Sequence, residues 1–374
     1  MTDEFEDLPD KLKRYIESNT QTLEPLSPAD GVEQFLTHKK TEIRPQTVDE
    51  YRRKLEHVLD YCDQNGIENL NDLTGRDIKD FAWYRREETG SQDGSLSAKT
   101  IRDDMYLLRD LLRYLGDIEA VPHDLYRKID IPSLDDQDGV RDIHLERDRV
   151  EMILQHLRKY EYGSKEHVTL EFFAETGRRP GDLFALDLGD LYLEIDNPHI
   201  KLVHRENETE LKNGESGETD ISISSETAQA FKAYIDKKRI DVTTENGREP
   251  FLTSQYGRLS KMSIRKYVYQ YSCPCVVTNE CPHDRDISSC EAAQKVNQAY
   301  QCPSSEPPYA LRHGYITAKR NDGVPIDVLT ERCDASEPVI DKHYDERTEE
   351  EKRELRRQIL EQVENERDTG GGYA

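Results

Sequence analysis

The chain has 374 residues, 52 basic against 77 acidic side chains for a formal charge of −25, and equal shares, 34% each, of hydrophobic and charged residues. Apolar periodicity recurring between polar stretches excludes a wholly disordered chain, and the length suits two domains. No apolar run reaches the roughly 18 residues of a membrane-spanning helix, and residues 1–10 are acidic where a secretory signal is basic and then apolar, so a cytoplasmic location is expected.

Residues 1–25 read as an acidic N-terminal arm without periodicity. Residues 26–118 read as a small helical bundle. Thr47, with Glu50 three positions on, has the pattern of a capping box; Tyr51, Leu55, Val58, Leu59 and Cys62 follow on one face, and Gly66 supplies the stop. Thr74 suits the cap of a second helix carrying Ile78, Phe81 and Ala82, and a third helix carries Ile101, Met105, Leu108, Leu112 and Leu115. Lys99, Arg102 and Arg109 flank that last stripe, either as phosphate-facing cations or as an ordinary solvated side. Residues 119–143, with Pro122, Pro132 and an acidic, Gly-containing run, have the composition of a linker.

A second domain is expected over 144–345. It opens with helices, passes through alternating segments at 199–204 and 219–224 that read as a strand pair, and returns to helix over 226–239. The class is mainly α with a small antiparallel sheet. Residues 346–374 read as a C-terminal helix and flexible tail, with Leu355, Ile359 and Val363 in one stripe that needs a partner.

A charge this negative argues against a generic nucleic-acid binder. In molar salt, however, the Debye length falls to about 3 Å and remote carboxylates scarcely repel a phosphate, so local charge decides. An acidic surface of this kind fits a halophilic source. Residues 250–279 contain no Asp or Glu, and Arg258, Lys261, Arg265 and Lys266 all fall there, which gives a candidate DNA-binding face. Most of the seven cysteines cluster nearby, at Cys273, Cys275, Cys281, Cys290 and Cys302. Cytosolic clusters favour metal over disulfides, so Cys275, Cys281, Cys290 and Cys302 are candidate ligands for a structural zinc, with Cys273 or His283 as replacements and reduced thiols as the alternative.

Three segments carry unusual polar placements: Thr176-Gly177-Arg178-Arg179-Pro180-Gly181-Asp182, then Pro308-Tyr309-Ala310-Leu311-Arg312-His313, then His343-Tyr344. In this order they resemble the tyrosine recombinase or phage integrase family, over about residues 27–344, and within it the integrase-like proteins of halophilic archaea, which have a similar Cys-Pro-His and Cys-Pro-Ser-Ser segment. The resemblance implies an N-terminal helical core-binding (SAM-like) domain and a tyrosine-recombinase catalytic domain with a Cys-rich insertion at 273–302. Arg179 matches the arginine of the first box, T-G-x-R, and Arg312 that of the second, H-x-L-R-H, where Tyr309 replaces the leading histidine. Tyr344 matches the nucleophile, and Lys212 the lysine of a turn between two strands.

That chemistry needs these side chains. Two guanidiniums can hold the non-bridging oxygens of a phosphodiester as negative charge builds, without a metal. A tyrosine attacking phosphorus forms a 3′-phosphotyrosyl ester and releases a 5′ hydroxyl, and Lys212 can protonate that leaving oxygen. Site-specific recombination of double-stranded DNA by a homo-oligomer is therefore expected, with no cofactor for catalysis. Where the family has histidine or tryptophan nine residues before the nucleophile, this chain has Ala335, preceded by Asp334. Alanine cannot hydrogen-bond a phosphate, which keeps open a non-cleaving DNA binder of the same fold. A type IB topoisomerase-like relaxing enzyme is the other alternative.

Overall fold

The structure is a computed structural model and describes residues 23–87, 96–135, 143–194, 196–344, 350, 353–354, 356–358 and 360–361. The chain divides into two units, Met1–Arg141 and Asp142–Ala374.

In the first unit, helix α1 (Pro28–Lys39) was not legible in the sequence. Ser27 caps it, its hydroxyl accepting from the Asp30 amide at 3.1 Å, and Pro28 fits the first helical position. Its buried side is Pro28, Gly31, Val32, Phe35 and Leu36, so a proline and a glycine blur the apolar period. Gly31 lets α1 approach Leu70 closely, since a Cβ would stand 2.5 Å from Leu70 Cδ1 and that side chain would have to shift. Helix α2 (Pro45–Gln64) starts at Pro45, and its N-cap, Arg44, makes no side-chain cap bond; Thr47 lies inside the helix and is not the cap its sequence pattern suggests. Proline at the first position fixes the start instead.

Thr74 does cap α3 (Gly75–Glu87): its backbone amide donates to Asp77 Oδ2 at 2.8 Å, and its hydroxyl accepts from the Arg76 amide at 3.2 Å. Helix α4 (Ala98–Asp117), capped by Ser97, buries the expected Ile101, Met105, Leu108, Leu112 and Leu115. A buried ion pair, Arg85 to Asp104 at 2.9 Å, ties α3 to α4. The first part of the expected linker at 119–143 belongs to the helical core. Ala120, Val121, Leu125 and Ile129 are buried in the helical core, around a 3-10 turn at Leu125–Lys128. Isolated apolar anchors in a polar segment carry no period, which is why composition misread them.

The second unit is built on α5 (Arg147–Tyr160) and α6 (Lys165–Thr176). Helix α6 runs through the centre with Val168, Leu170, Phe172 and Phe173 all buried, and it ends at Gly177, whose φ of 63° is left-handed. Helix α7 (Pro180–Ala185) restarts at once. Strands β1 (Leu191–Tyr192), β2 (His199–Leu202) and β3 (Thr219–Ser222) form an antiparallel sheet in that order, with Ile200 opposite Ile221 facing the core. The expected strand pair is present; β1 is too short to show alternation. Helix α8 (Ser225–Lys237), the hairpin β4 (Thr253–Ser254) and β5 (Gly257–Arg258), and α9 (Lys261–Ser272) follow. After the cysteine-rich insertion come α10 (Pro308–Asn321), α11 (Ile326–Cys333) and α12 (Glu337–Tyr344). Leu355, Ile359 and Val363 lie outside the described residues, as do residues 1–22 of the expected arm.

Candidate active site

The left-handed turn at Gly177 ends α6 and aims the next two side chains apart. A Cβ on residue 177 would stand 2.3 Å from the Tyr315 ring, so glycine is required by contact as well as by φ. Arg178 turns inward, 1% exposed, donating from Nε to Asp182 at 2.9 Å and from Nη2 to the Gly217 carbonyl at 2.8 Å. Arg179, the N-cap of α7, keeps 21% of its side chain exposed and grips Asp334 through both the carboxylate and the main-chain oxygen.

Arg312 lies in the first turns of α10, which Pro308 opens at its first position as expected. Buried to 4% exposure, its Nη1 donates to the carbonyls of Gly177, at 2.9 Å, and Cys333, at 2.5 Å. Arg312 therefore ties the end of α6 to the end of α11, where Arg179 also bonds Asp334. Lys212 comes from the turn between β2 and β3. Its ammonium pKa is lowered by desolvation and then by the fields of Arg179 and Arg312, while Asp334 acts in the opposite direction. A lysine so placed gives up a proton more readily than an ordinary one.

Tyr344, at the end of α12, is 2% exposed and seated with Ile316, Leu329 and Ile340. Its hydroxyl donates to the Tyr309 hydroxyl at 3.2 Å, and its ring lies 4.7 Å from that of His313. Burial, followed by this hydrogen bond, pushes the Tyr309 phenol up, whereas Arg312 and Arg179 pull it down. The fold thus brings Arg179, Arg312, Lys212 and Tyr309 into one electrostatic neighbourhood, with Tyr344 one hydroxyl contact away. Ala335 brings no polar atom to the site: it packs in the same small apolar core as the Tyr344 ring.

The DNA-binding candidates separate into groups. Lys261 and Arg265 are exposed on α9 and Lys266 is half-buried, with Lys261 Nζ 4.9 Å from the Phe184 ring centre. Arg258 does not belong with them. It donates to the Phe184 and Leu186 carbonyls at 2.9 and 3.0 Å and pairs with Asp187 at 2.5 Å, so it is a strut of the hairpin and not a free cation. Composition counts charges and cannot see that the neutralising acid is Asp187, seventy-one positions away. On α4, Lys99 is exposed, while Arg102 and Arg109 stack on Tyr106 at 5.4 and 4.6 Å, a ring the sequence did not single out. At the tip of the β4–β5 hairpin, Tyr256 is 90% exposed and was also missed, since a lone aromatic in a turn has no pattern.

The five insertion cysteines do gather. Cys273, Cys275 and Cys302 are buried with Ala292 and Ala299, and Cys281 and Cys290 pack against them. Among the described residues, no group of three His, Cys, Asp or Glu side chains is arranged to hold a metal ion. The Cys273 thiol instead donates to the Tyr269 carbonyl at 3.3 Å, and His283 shares a 2.9 Å hydrogen bond with Ser304.

Residues 32–117 match the N-terminal SAM-like domain of phage integrases. Over nearly the whole chain the structure superposes on the Tn1549 transposon integrase in complex with a circular intermediate DNA, at TM-score 0.62 and 16% identity, covering 89% of this chain and 99% of that one. The chain has the fold of a tyrosine recombinase. A lambda integrase dimer bound to a COC′ core site is similar as well, at TM-score 0.57 and 13% identity over 92% of this chain and 83% of that one. The N-terminal domain of a phage integrase/site-specific recombinase from Haloarcula marismortui is 28% identical over 29% of this chain and 99% of that one, at TM-score 0.27. No curated protein matches the chain. Among the described residues of this recombinase fold, no helix is long and apolar enough to cross a membrane.

Proposed function

We propose that the chain is a site-specific DNA recombinase that cuts and rejoins duplex DNA through a 3′-phosphotyrosyl intermediate. The observation that carries this reading is the Tyr344 hydroxyl, bonded at 3.2 Å to Tyr309, which itself stands in the field of Arg312 and Arg179. In the reaction, Tyr344 Oη bonds to phosphorus as the bond to the 5′ oxygen breaks, and the phenolic proton leaves along its hydrogen bond to the Tyr309 hydroxyl, which relays it to solvent. Arg179 and Arg312 hold the non-bridging oxygens, and the departing oxygen takes its proton from Lys212. A second 5′ hydroxyl reverses the step, so the bond energy is kept and no nucleotide cofactor is consumed. Copies assemble on DNA, with the apolar stripe of Leu355, Ile359 and Val363 docking on a neighbour.

The test is incubation in high salt with a nicked duplex library of random sequence. A covalent adduct on a denaturing gel is expected for the wild type and none for Tyr344→Phe. One observation favours a second reading, a binder of the same fold that does not cleave: Asp334 fills the Arg179 guanidinium and Tyr344 is buried. DNA retention without any adduct would establish that reading, and relaxation of an arbitrary plasmid would point to a topoisomerase-like enzyme.

A further inference from the structure

A carboxylate and a phosphate diester present similar pairs of oxygens to a guanidinium, so a carboxylate held in an arginine clamp marks where an anionic substrate can sit. Asp334 is such a carboxylate. It stands in the left-handed turn between α11 and α12, at φ 52°, with only 11% of its side chain exposed. One oxygen, Oδ2, accepts from Arg179, and the other, Oδ1, accepts from the side-chain amide of Asn213 at 2.8 Å. Lys212 is within the same electrostatic neighbourhood. The anion is thus gripped from two directions, by one arginine and one neutral donor. A tetrahedral phosphate needs that arrangement for its two non-bridging oxygens.

We propose that the Asp334 carboxylate occupies the position of the scissile phosphate, and that Asn213 is a phosphate-binding residue of the site. The inference rests on the strand-transfer reading above and deepens it. Ala335 offers no donor and is packed in the apolar core under α12, so the hydrogen bond missing from that position comes from the β2–β3 turn, beside Lys212. Because one pair of donors cannot serve two anions, Asp334 must leave before a phosphate binds. Its left-handed turn lies between the carbonyl of Cys333, which holds Arg312, and the helix that carries Tyr344. Displacing Asp334 therefore acts on both arginines and on the nucleophile's helix together.

The experiment measures inorganic phosphate binding to the full chain by calorimetry, without DNA. Asp334→Asn keeps a residue tolerant of the left-handed turn and removes the competing charge. It is expected to bind phosphate about tenfold more tightly than the wild type, and Asn213→Ala in that background is expected to remove about fivefold of the gain, the scale of a hydrogen bond to a charged group. Circular dichroism melting verifies folding of each variant. Equal phosphate affinity in the wild type and Asp334→Asn, no effect of Asn213→Ala in that background, or no measurable binding in either variant overturns the proposal. Phosphate binding as expected with no DNA adduct in any variant would instead defeat the strand-transfer reading and leave the anion site standing.

Discussion

At the end of α6 the turn at Gly177 sends consecutive arginines in different directions, and the difference is measurable. Arg178 is the internal partner of Asp182, which is 1% exposed. Replacing it with alanine leaves that carboxylate buried without its cation, and a loss of about 3–5 kcal/mol in unfolding free energy is expected from urea melts. Arg179 reaches Asp334 from a partly exposed position, so Arg179→Ala is expected to cost less stability than Arg178→Ala while losing phosphate and DNA-adduct signals. If both variants lose stability alike, the division of labour between the two side chains is wrong. The motif T-G-x-R already selected the second arginine. What it could not supply was the reason, which is that the preceding side chain is committed to Asp182 and Gly217.

At the scale of an element, α6 is held by a polar ladder inside an apolar core. The Gly163 amide donates to His167 Nδ1 at 3.1 Å, so the ring proton sits on Nε2 and is shared with Glu171 Oε1 at 3.0 Å, and Arg158 Nε donates to the same oxygen at 2.7 Å. Desolvation raises the Glu171 pKa, but the hydrogen bonds from His167 and Arg158 outweigh it and hold the carboxyl below its usual 4.5. A depressed folded-state pKa gives stability that is present above the unfolded value and lost as pH falls through the folded one. Acid titration of the unfolding free energy is therefore expected to show a limb below pH 4.5 that Glu171→Gln flattens, with about 1.5–3 kcal/mol lost at neutral pH. An unchanged acid limb in the variant would show that the ladder carries no linkage. An apolar stretch through Leu170, Phe172 and Phe173 marks α6 in the sequence without an amphipathic period. A helix buried on all sides has no polar face to contrast with its apolar one.

For the whole molecule, a charge of −25 and the exposed Lys261 and Arg265 of α9 make opposite statements about DNA. Counterion release decides between them, because only cations that meet phosphates contribute to the salt dependence of affinity. The combined Lys261→Gln, Arg265→Gln and Lys266→Gln variant is expected to lower the slope of log affinity against log salt by about 0.9 for each phosphate contact removed, read by fluorescence anisotropy across a KCl series. A slope equal to that of the wild type would clear α9 of any role. The helical class, the strand pair around Lys212 and the order of the two arginines and Tyr344 are readable from the chain alone, since short-range periodicity, caps and motif spacing are properties of neighbouring residues. That Arg258 belongs to Asp187, that Ala120, Val121, Leu125 and Ile129 pack into the helical core, that five thiols share one cluster and that Asp334 pairs with Arg179 emerges only from the folded molecule. Those outcomes depend on which distant side chains share a space, and pairing across the fold leaves no trace in local spacing.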